Sequence, residues 1–301
     1  MISLVITSYT LERRQDISDL LKSINAQTNH DYEVVYVTEK DIRLHEFVRN
    51  EIGKYAFKSK VIHNSGGEGL AEARNLGASA ATGDIVAFVD DDVVLGEGWV
   101  AAVEGAFHSF PEAVGVTGPA YPLWVGEKVD WLPPEFDWLI GCTKWFRSEH
   151  VVEVRNCWGM NMAFSLKYFE DVGGFSPATG YHRGKMPEDL ELSLRIRRVT
   201  GKKLLYVPDM RVWNKIHPYR LSHKYIVARS SYIGYTRRAI PQNIPNGESA
   251  YIFEFSTLAS ILNSLRPSVI ASSRTHLLPL TRITILAMVS IFLGYVFGPF
   301  E

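Results

Sequence analysis

Short apolar runs of β-forming residues alternate with stretches of helical periodicity through roughly the first 118 residues. Strands are predicted over residues 4–8, 32–38, 60–63 and 85–89. Apolar residues at helical spacing follow Asp16, and an Ala-rich helix is predicted over residues 70–81. This alternation predicts a parallel sheet flanked by helices. The G-x-G-x-x-G fingerprint and the P-loop are both missing, so dinucleotide binding and nucleoside-triphosphate hydrolysis are not indicated.

The pattern changes in residues 119–150, which are rich in proline and tryptophan. Tryptophans stand at positions 124, 131, 138 and 145, but glycines and prolines between them interrupt any continuous helix. We expect an ordered aromatic loop there. Regular patterning returns with a strand over 160–165, a helix over 187–199 and a strand over 203–207.

Charge is distributed unevenly along the 301 residues, although the net charge is only −1. Near-neutrality argues against a nucleic-acid binder, which usually carries a basic excess. Residues 195–238, however, hold twelve Lys or Arg and one acid, which favours an anionic partner. Residues 283–300 carry no charge at all, close to the lower length limit for spanning a bilayer. We expect this tail to associate with a membrane, as a short span or in the interface; a buried C-terminal helix is the alternative.

The most informative short motif is Val89-Asp90-Asp91-Asp92-Val93, at the end of a strongly apolar strand. Consecutive carboxylates repel one another unless a cation or hydrogen-bond donors hold them, and ligands bind open α/β sheets at this edge. In extended geometry Asp90 and Asp92 point the same way. Carboxylate oxygens favour Mg²⁺ or Mn²⁺ as the bound ion. The alternative interpretation of this motif is an acidic turn that caps the next segment.

Three further motifs surround this acidic run in sequence. They are Thr7-Ser8-Tyr9, Gly69-Leu70-Ala71-Glu72-Ala73-Arg74-Asn75-Leu76-Gly77 and Pro187-Glu188-Asp189-Leu190-Glu191. In order and spacing, residues 1 to about 220 resemble the family 2 glycosyltransferases. The resemblance implies a GT-A fold, an α/β architecture with a Rossmann-like mixed sheet flanked by helices. It also implies a nucleotide-diphosphate sugar donor and a divalent metal ion, Mn²⁺ or Mg²⁺.

The resemblance also implies roles for the donor-binding residues. Thr7 and Tyr9 stand where family members hold the nucleobase, and Glu39 stands where an acid meets the base or ribose. Asp41 competes with Glu39 for that role. The resemblance implies a contact with the base or diphosphate for Arg74, as a guanidinium suits. Asp90 corresponds to the ribose-binding acid.

The remaining roles concern the metal and the acceptor. The resemblance implies that Asp92 and Asp90 are ligands of the metal ion. It also implies that His217 is a third ligand; the alternative is that His217 is simply a histidine in a surface loop. Glu188 and Asp189 correspond to the family's acid pair, in which Asp189 is the general base; both also favour the start of a helix.

The aromatic and amide residues after position 157 complete the set. Trp158 and Asn161 are expected to line the acceptor or donor-sugar pocket, although packing is the commoner role of an isolated tryptophan.

The predicted domains are a catalytic part over residues 1–220 and a basic, apolar, membrane-associating part over 221–301. The catalytic part divides into a nucleotide-binding half (1–118) and an acceptor half (119–220). The resemblance predicts an inverting transferase, with a UDP-sugar as donor and a hydroxyl of a polyprenyl- or dolichyl-phosphate-linked glycan as acceptor, at the cytoplasmic membrane face. The alternatives are a polyprenyl-phosphate sugar synthase and a non-catalytic protein that binds nucleotide sugars.

Overall fold

The computed structural model describes residues 1–66, 69–129, 132, 134–143, 146, 148–180, 186–243 and 277–298. The helices are α1 (Arg14–Asn25), α2 (Ile42–Ile52), α3 (Leu70–Ser79), α4 (Trp99–Ser109), α5 (Leu166–Asp171), α6 (Glu188–Thr200), α7 (His223–Asn243) and α8 (Leu277–Phe297). The strands are β1 (Ile2–Ser8), β2 (Tyr32–Glu39), β3 (Lys58–Asn64), β4 (Ile85–Asp90), β5 (Val93–Leu95), β6 (Ala113–Thr117), β7 (Ala120–Trp124), β8 (Val152–Val154), β9 (Asn161–Ser165), β10 (Lys203–Tyr206) and β11 (Val212–Ile216). Short 3₁₀ turns occupy Leu11–Arg13, Pro134–Ile140 and Pro218–Leu221.

The main sheet of the described residues has the strand order β3-β2-β1-β4-β9-β6-β10-β8. Strands β1 to β4 are parallel to one another, while β9 runs antiparallel to both β4 and β6. Thr7 pairs with Val37 on one side and with Asp90 on the other. The carboxyl ends of β1, β2 and β4 therefore meet at one edge, where open α/β sheets bind their ligands.

Three of the four parallel strands, β1, β2 and β4, are rich in apolar residues, as is typical of strands with helices on both faces, whereas the edge strand β3 is polar and only partly buried. Strands β1, β2 and β4 are buried along almost their whole length. Helix α1 contributes Ile17, Leu20, Leu21 and Ile24 to the same core, all of them completely buried. Burial of each such side chain contributes about 1.5–3 kcal/mol relative to exposure.

Glu33 organises the sheet edge opposite to the candidate site. Its buried carboxylate accepts hydrogen bonds from the Ser3 hydroxyl (2.8 Å) and from the backbone and side chain of Thr82 (both 2.7 Å), and Lys58 forms an ion pair with it (3.1 Å). Burial alone would raise the pKa of Glu33, but these donors outweigh it and lower the pKa to about 2. One carboxylate thus joins β1, β2, β3 and the turn before β4.

A smaller sheet, of order β5-β11-β7, lies after the acidic run. The backbone N–H of Lys215 donates to the carbonyl of Asp92 (2.9 Å), and Asn214 pairs with Val93. The Lys215 ammonium is buried and binds Asp16 (3.0 Å) and Asp19 (2.5 Å) on α1. Strand β11 is therefore fixed to α1 and to the backbone of the acidic run at the same time.

The chain divides into two compact units. The first comprises residues 1–122, 147–183 and 187–215, and the second comprises 123–146, 184–186 and 216–301. The core of the second unit includes Phe136, Leu139, Ile140, Ile226 and Ala287. Compared with the predicted domains, the aromatic residues 123–146 group with the C-terminal residues, and the division falls after residue 215 instead of 220.

The predicted apolar tail, residues 283–300, lies in α8 as far as Phe297, and residues 299–300 fall outside the described part of the chain. None of the described helices is both long enough and apolar enough to cross a membrane.

The structure confirms every strand predicted before residue 118 and the helices predicted over 70–81 and 187–199. The expected loop over 119–150 is wrong in two places, since it contains β7 and a 3₁₀ turn; Trp131 and Trp145 lie outside the described residues. Strand β7 includes Pro122, and the sheet tolerates this proline because β7 is an edge strand.

Candidate active site

Arg74 lies at the centre of the candidate site and joins its two acidic motifs. The guanidinium donates through Nη1 to Glu188 Oε1 (2.8 Å) and through Nη2 to Asp90 Oδ1 (3.0 Å). Nη2 also donates to the carbonyl of Gly159 (3.0 Å), and the ring of Phe175 lies 5.5 Å from the guanidinium carbon. The side chain is only 3% exposed. A buried guanidinium requires partners of this kind, since an unpaired charge would be costly to remove from water.

Gly159 carries the same network on to Asp189. Its backbone N–H donates to Asp189 Oδ2 (2.8 Å), while its carbonyl accepts from Arg74. A Cβ at this position would lie 3.2 Å from Asp189 Oδ2 and 3.3 Å from Arg74 Nη2, closer than side chains usually approach. A larger residue here would require the side chain of Asp189 or Arg74 to shift by a few tenths of an ångström.

Asp189 is the second residue of α6, directly after Glu188. Its Oδ1 accepts the backbone N–H of Leu190 (2.7 Å), so both carboxylate oxygens are held by backbone donors. Burial, reinforced by the charge of Glu188, raises the pKa of Asp189 to about 6 despite those donors and Arg74. A carboxylate with this pKa is ionised at neutral pH and is a stronger base than an ordinary aspartate.

The middle and last aspartates of the acidic run turn away from Arg74 and share a second arginine. Arg13 forms ion pairs with Asp91 and with Asp92 Oδ2 (3.3 Å). The Ser8 hydroxyl donates to Asp91 Oδ2 (2.6 Å) and lies 2.7 Å from the Tyr36 hydroxyl, which therefore donates to Ser8. Asp91 and Asp92 are buried, whereas the Asp90 side chain is 38% exposed.

The expectation that Asp90 and Asp92 point the same way assumed an extended chain. Strand β4 ends at Asp90 and the next two residues form a turn, so strand alternation does not continue to Asp92. Asp90 is paired with Arg74 and Asp92 with Arg13.

The residues expected to hold the nucleobase lie at the ends of β1 and β2. Tyr9 is 61% exposed, and the Arg13 guanidinium lies 5.7 Å from its ring, while Thr7 is buried within β1. Glu39 is buried and accepts a hydrogen bond from the backbone of Gly69, and burial raises its pKa. Among the described residues, the buried Glu39 Oε1 has no hydrogen-bond partner.

Asp41, the alternative to Glu39 for the contact with the base or ribose, has a local structural role. Its carboxylate accepts the backbone N–H of Arg43 (2.9 Å) and pairs with the Arg43 guanidinium, as expected of the residue that caps α2.

Trp158 and Asn161 are placed by packing and by backbone contacts. The ring of Trp158 packs edge-on against Tyr206 at 5.9 Å. Asn161 is completely buried; its Oδ1 accepts the indole N–H of Trp99 (2.9 Å), and its Nδ2 donates to the carbonyl of Met210 (2.7 Å). This burial does not favour the pocket-lining role expected of Asn161, which stays a prediction.

His217 belongs to the second compact unit, where it directly precedes the 3₁₀ turn Pro218–Leu221 and stacks on Tyr219 with ring centroids 6.1 Å apart. Within the ranges that the structure describes, no three His, Cys, Asp or Glu side chains form a group able to hold a metal ion. The assignment of His217, Asp90 and Asp92 as ligands stays a prediction.

Two residues of this site were not predicted from the sequence. Arg13 follows the Thr7-Ser8-Tyr9 motif, but nothing in the sequence distinguishes it from the neighbouring Arg14. Gly159 acts through its backbone, and a glycine within an irregular segment has no distinctive pattern. The pairing of Arg74 with both acidic motifs was also unexpected, since a contact with the donor was predicted.

The chain belongs to glycosyl transferase family 2: the sequence model of that family matches residues 3–173. The chain is thus a glycosyltransferase with the α/β GT-A fold. It is 30% identical over 303 aligned positions to a glucosyl-dolichyl phosphate glucuronosyltransferase of Haloferax volcanii, with 99% of this chain and 96% of the relative covered.

Solved structures share the fold. The mannosyltransferase PcManGT from Pyrobaculum calidifontis, in complex with GDP-Man and Mn²⁺, superposes with a TM-score of 0.65 at 17% identity, covering 98% of this chain and 87% of its own. GalNAc-T7 with UDP, GalNAc and Mn²⁺ gives a TM-score of 0.55 at 19% identity, covering 89% and 58%.

We expect Arg74→Met to lower the free energy of unfolding by about 3 kcal/mol, because Glu188 and Asp90 lose a partly buried counter-charge. Arg74→Lys keeps the charge but cannot bind two carboxylates with one planar fork, so an intermediate loss is expected. Urea unfolding of the purified protein measures both.

Arg43→Met is the matched control, because Arg43 also pairs with an aspartate but its side chain is 77% exposed. Its effect on the free energy of unfolding should be much smaller than that of Arg74→Met, because an exposed ion pair contributes little to stability. Equal stability of the Arg74→Met and Arg43→Met variants would contradict the central role of Arg74.

Proposed function

We propose that this chain is an inverting, metal-assisted glycosyltransferase that moves a sugar from a nucleotide diphosphate to a hydroxyl group of a lipid-linked glycan. The observation that carries the proposal is the placement of Asp189. This carboxylate has a raised pKa, is held by two backbone donors and is connected through Gly159 and Arg74 to the acidic edge at Asp90.

In the proposed reaction Asp189 removes the proton of the acceptor hydroxyl. The acceptor oxygen forms a bond to the anomeric carbon while the bond from that carbon to the diphosphate oxygen breaks. The leaving nucleotide diphosphate keeps the electron pair, and attack from the opposite side inverts the anomeric configuration. Backbone N–H groups hold both oxygens of Asp189 and thereby orient it for this transfer.

Donor binding is assigned to the edge formed by β1, β2 and β4. Glu39 Oε1, buried and without a partner among the described residues, is a suitable acceptor for a base N–H, as in uracil. The exposed ring of Tyr9 offers a surface for stacking. We therefore favour a UDP-sugar as donor.

Asp90 and Asp92 offer carboxylate oxygens, which suit Mn²⁺ or Mg²⁺, although in the structure they pair with Arg74 and Arg13 respectively. These residues would hold the ion, with His217 as a further ligand. A bound divalent ion would offset the charge that develops on the diphosphate. The mannosyltransferase and GalNAc-T7 structures with Mn²⁺ support this choice, and the requirement itself is part of the proposal.

The acceptor class comes from the relative that aligns along almost the whole chain. Its name describes a glucuronosyltransferase that acts on glucosyl-dolichyl phosphate. We propose the same class here, a sugar hydroxyl on a polyprenyl- or dolichyl-phosphate glycan. The enzyme would then work at a membrane surface, on the cytoplasmic face, where its nucleotide-sugar donor is available.

Asp189→Asn should lower kcat by about a hundredfold or more, the usual contribution of a general base, while donor affinity is retained. For the native enzyme kcat should fall as the pH drops through about 6, because protonated Asp189 cannot accept a proton. Turnover assays across pH, with donor binding measured by calorimetry, test both. Collapse of donor affinity with kcat preserved would make Asp189 a binding residue.

A measurement of thermal stability distinguishes a variant that has lost catalysis from one that has unfolded. Because the folded pKa of Asp189 is raised to about 6, the stability contributed by its protonated form is lost as the pH rises from about 4 to about 6. Asp189→Asn removes the buried charge but replaces one of the two oxygens that accept backbone N–H groups by an N–H donor, so the melting temperature of the variant at pH 8 is measured together with kcat. Glu191→Gln is the matched control on the same helix, since Glu191 pairs with Arg195 (2.7 Å). It should leave kcat within about threefold of the native value.

The same variant discriminates between the two enzyme hypotheses. A polyprenyl-phosphate sugar synthase uses an acceptor phosphate that is already ionised and needs no base. In such an enzyme Asp189→Asn would have a mild effect, and a polyprenyl phosphate without sugar would serve as acceptor. A non-catalytic protein would show no turnover with any nucleotide sugar.

Metal dependence is tested with EDTA and with Asp92→Asn, which preserves the shape of the side chain. EDTA should abolish transfer, added Mn²⁺ should restore it, and Asp92→Asn should require at least about tenfold more Mn²⁺ for half-maximal rate. Asp84→Asn is the control, because the Asp84 side chain is 92% exposed. Full activity in EDTA would refute the metal-assisted reaction.

A further inference from the structure

The aromatic ring of Phe175 lies against the guanidinium of Arg74, at the end of a turn that follows α5. The turn contains two glycines in the left-handed region, Gly173 with a φ of 81° and Gly174 with a φ of 65°. The Phe175 side chain is completely buried, and its ring centroid lies 5.5 Å from the guanidinium carbon of Arg74. A ring in this place attracts the cation through its π face without accepting one of its conventional hydrogen bonds.

Other aromatic rings hold the Phe175 ring in place. It meets Phe88 on β4 edge-on at a centroid distance of 5.0 Å, and it meets Phe169 on α5 in the same way at 5.4 Å. Both neighbours are buried in the first unit. Because protein interiors are closely packed, the ring is a fixed surface against which the more flexible arginine side chain is placed.

Asn75, the residue after Arg74 on α3, binds the backbone of Phe175 by two hydrogen bonds. Its Oδ1 accepts the N–H of Phe175 (2.8 Å), and its Nδ2 donates to the carbonyl of the same residue (2.7 Å). A side-chain amide offers the acceptor and the donor that this pairing needs. A Cβ on Gly174 would lie 2.6 Å from Asn75 Oδ1, so the turn passes close to α3. Two consecutive residues of one helix thus bind the Phe175 backbone and contact its ring.

The orientation of the Arg74 guanidinium matters because one of its nitrogens has two acceptors. Nη2 donates to Asp90 Oδ1 and to the carbonyl of Gly159, both at 3.0 Å. A hydrogen bond to a carboxylate is stronger than one to a neutral carbonyl, so a guanidinium free to turn would favour Asp90 over Gly159. The fixed ring of Phe175 opposes this turn. Since the N–H of Gly159 donates to Asp189, a shift of that peptide would move the carboxylate as well.

We propose that Asn75 and Phe175 are positioning residues for the glycosyl transfer. Asn75 fixes the backbone that carries the Phe175 ring, and the ring holds the Arg74 guanidinium in the orientation that reaches Gly159. The Gly159 peptide in turn orients Asp189. Both residues act through Arg74 and not by contact with the substrate. The inference rests on the proposed function, because Asp189 is the general base of that reaction.

The experiment measures kcat across pH, together with the thermal unfolding midpoint, in variants of the full chain. Phe175→Leu removes the ring and keeps an apolar side chain. Its matched control is Phe164→Leu, since Phe164 is completely buried in the same aromatic cluster and packs on Phe169 with ring centroids 6.3 Å apart.

A second variant, Asn75→Ala, displaces Phe175 without removing a ring from the core. Its control is Ser79→Ala, because the Ser79 hydroxyl on the same helix also donates to a backbone carbonyl, that of Leu76 (2.8 Å). If Phe175→Leu does not fold, Asn75→Ala and its control decide the question.

Phe175→Leu and Asn75→Ala should each lower kcat at pH 7 at least about tenfold, because a small displacement of a catalytic group is costly. Phe164→Leu and Ser79→Ala should keep kcat within about threefold of the native value, even where the unfolding midpoint falls as far as in Phe175→Leu.

The pH profile distinguishes positioning from a general loss of stability. The Gly159 N–H and the charge of Arg74 both lower the pKa of Asp189, and the Glu188 carboxylate raises it. The Cys157 thiol is the other titratable group whose pKa is linked to Asp189. When Arg74 and the Gly159 peptide shift, the acidic limb of kcat should therefore move upward by about half a pH unit or more. The limb should stay at its native position in both controls.

The results separate the failure of this inference from that of the proposed function. Equal loss of kcat in Phe175→Leu and Phe164→Leu would overturn the positioning role alone. An acidic limb that stays at its native pH in both Phe175→Leu and Asn75→Ala would do the same. Absence of transfer by the native chain would overturn the proposed function, and the positioning role with it.

Discussion

The contact of one buried guanidinium with two acidic motifs determines how the rest of the site is arranged. Arg74 extends from α3 to Asp90 at the end of β4 and to Glu188 at the start of α6. Neither carboxylate would be stable at this edge without a counter-charge, because both are partly removed from water. The planar guanidinium satisfies both at once and also binds the Gly159 carbonyl, which fixes the peptide that holds Asp189.

Two arginines divide the negative charge of the site between them. Arg74 forms ion pairs with Asp90 and Glu188, and Arg13 forms ion pairs with Asp91 and Asp92. Asp189, by contrast, is held by backbone N–H groups, and burial raises its pKa. Burial raises the pKa of Asp91 to about 6 as well, so the two carboxylates differ in their partners: Asp91 is held by the Arg13 and Ser8 side chains, and Asp189 by backbone N–H groups.

Sequence patterns predicted the fold of the first unit because apolar periodicity and strand length are local properties. Strands β1 to β4 and helices α3 and α6 were all predicted. The acidic positions Asp90, Glu188 and Asp189 were also predicted, and the structure pairs the first two with Arg74. The partners of those acids were not, because the contacts of Arg13 and Arg74 span 78 and 114 residues and leave no local trace. Strand β7 was missed for a different reason: its Pro122 and the preceding Pro119 favour a loop, and its edge position in the sheet permits a strand.

The most direct test of this account is a double-mutant cycle between Arg74 and Glu188, using Arg74→Met, Glu188→Gln and the combined variant. The free energy of unfolding and kcat are measured for each, with the exposed pair Arg43 and Asp41 as the reference cycle. A coupling of about 1–3 kcal/mol in stability is predicted, with little further loss of kcat in the combined variant, because either change releases the same network. Additivity within about 0.3 kcal/mol between Arg74 and Glu188 would contradict the claim that Arg74 holds the site together.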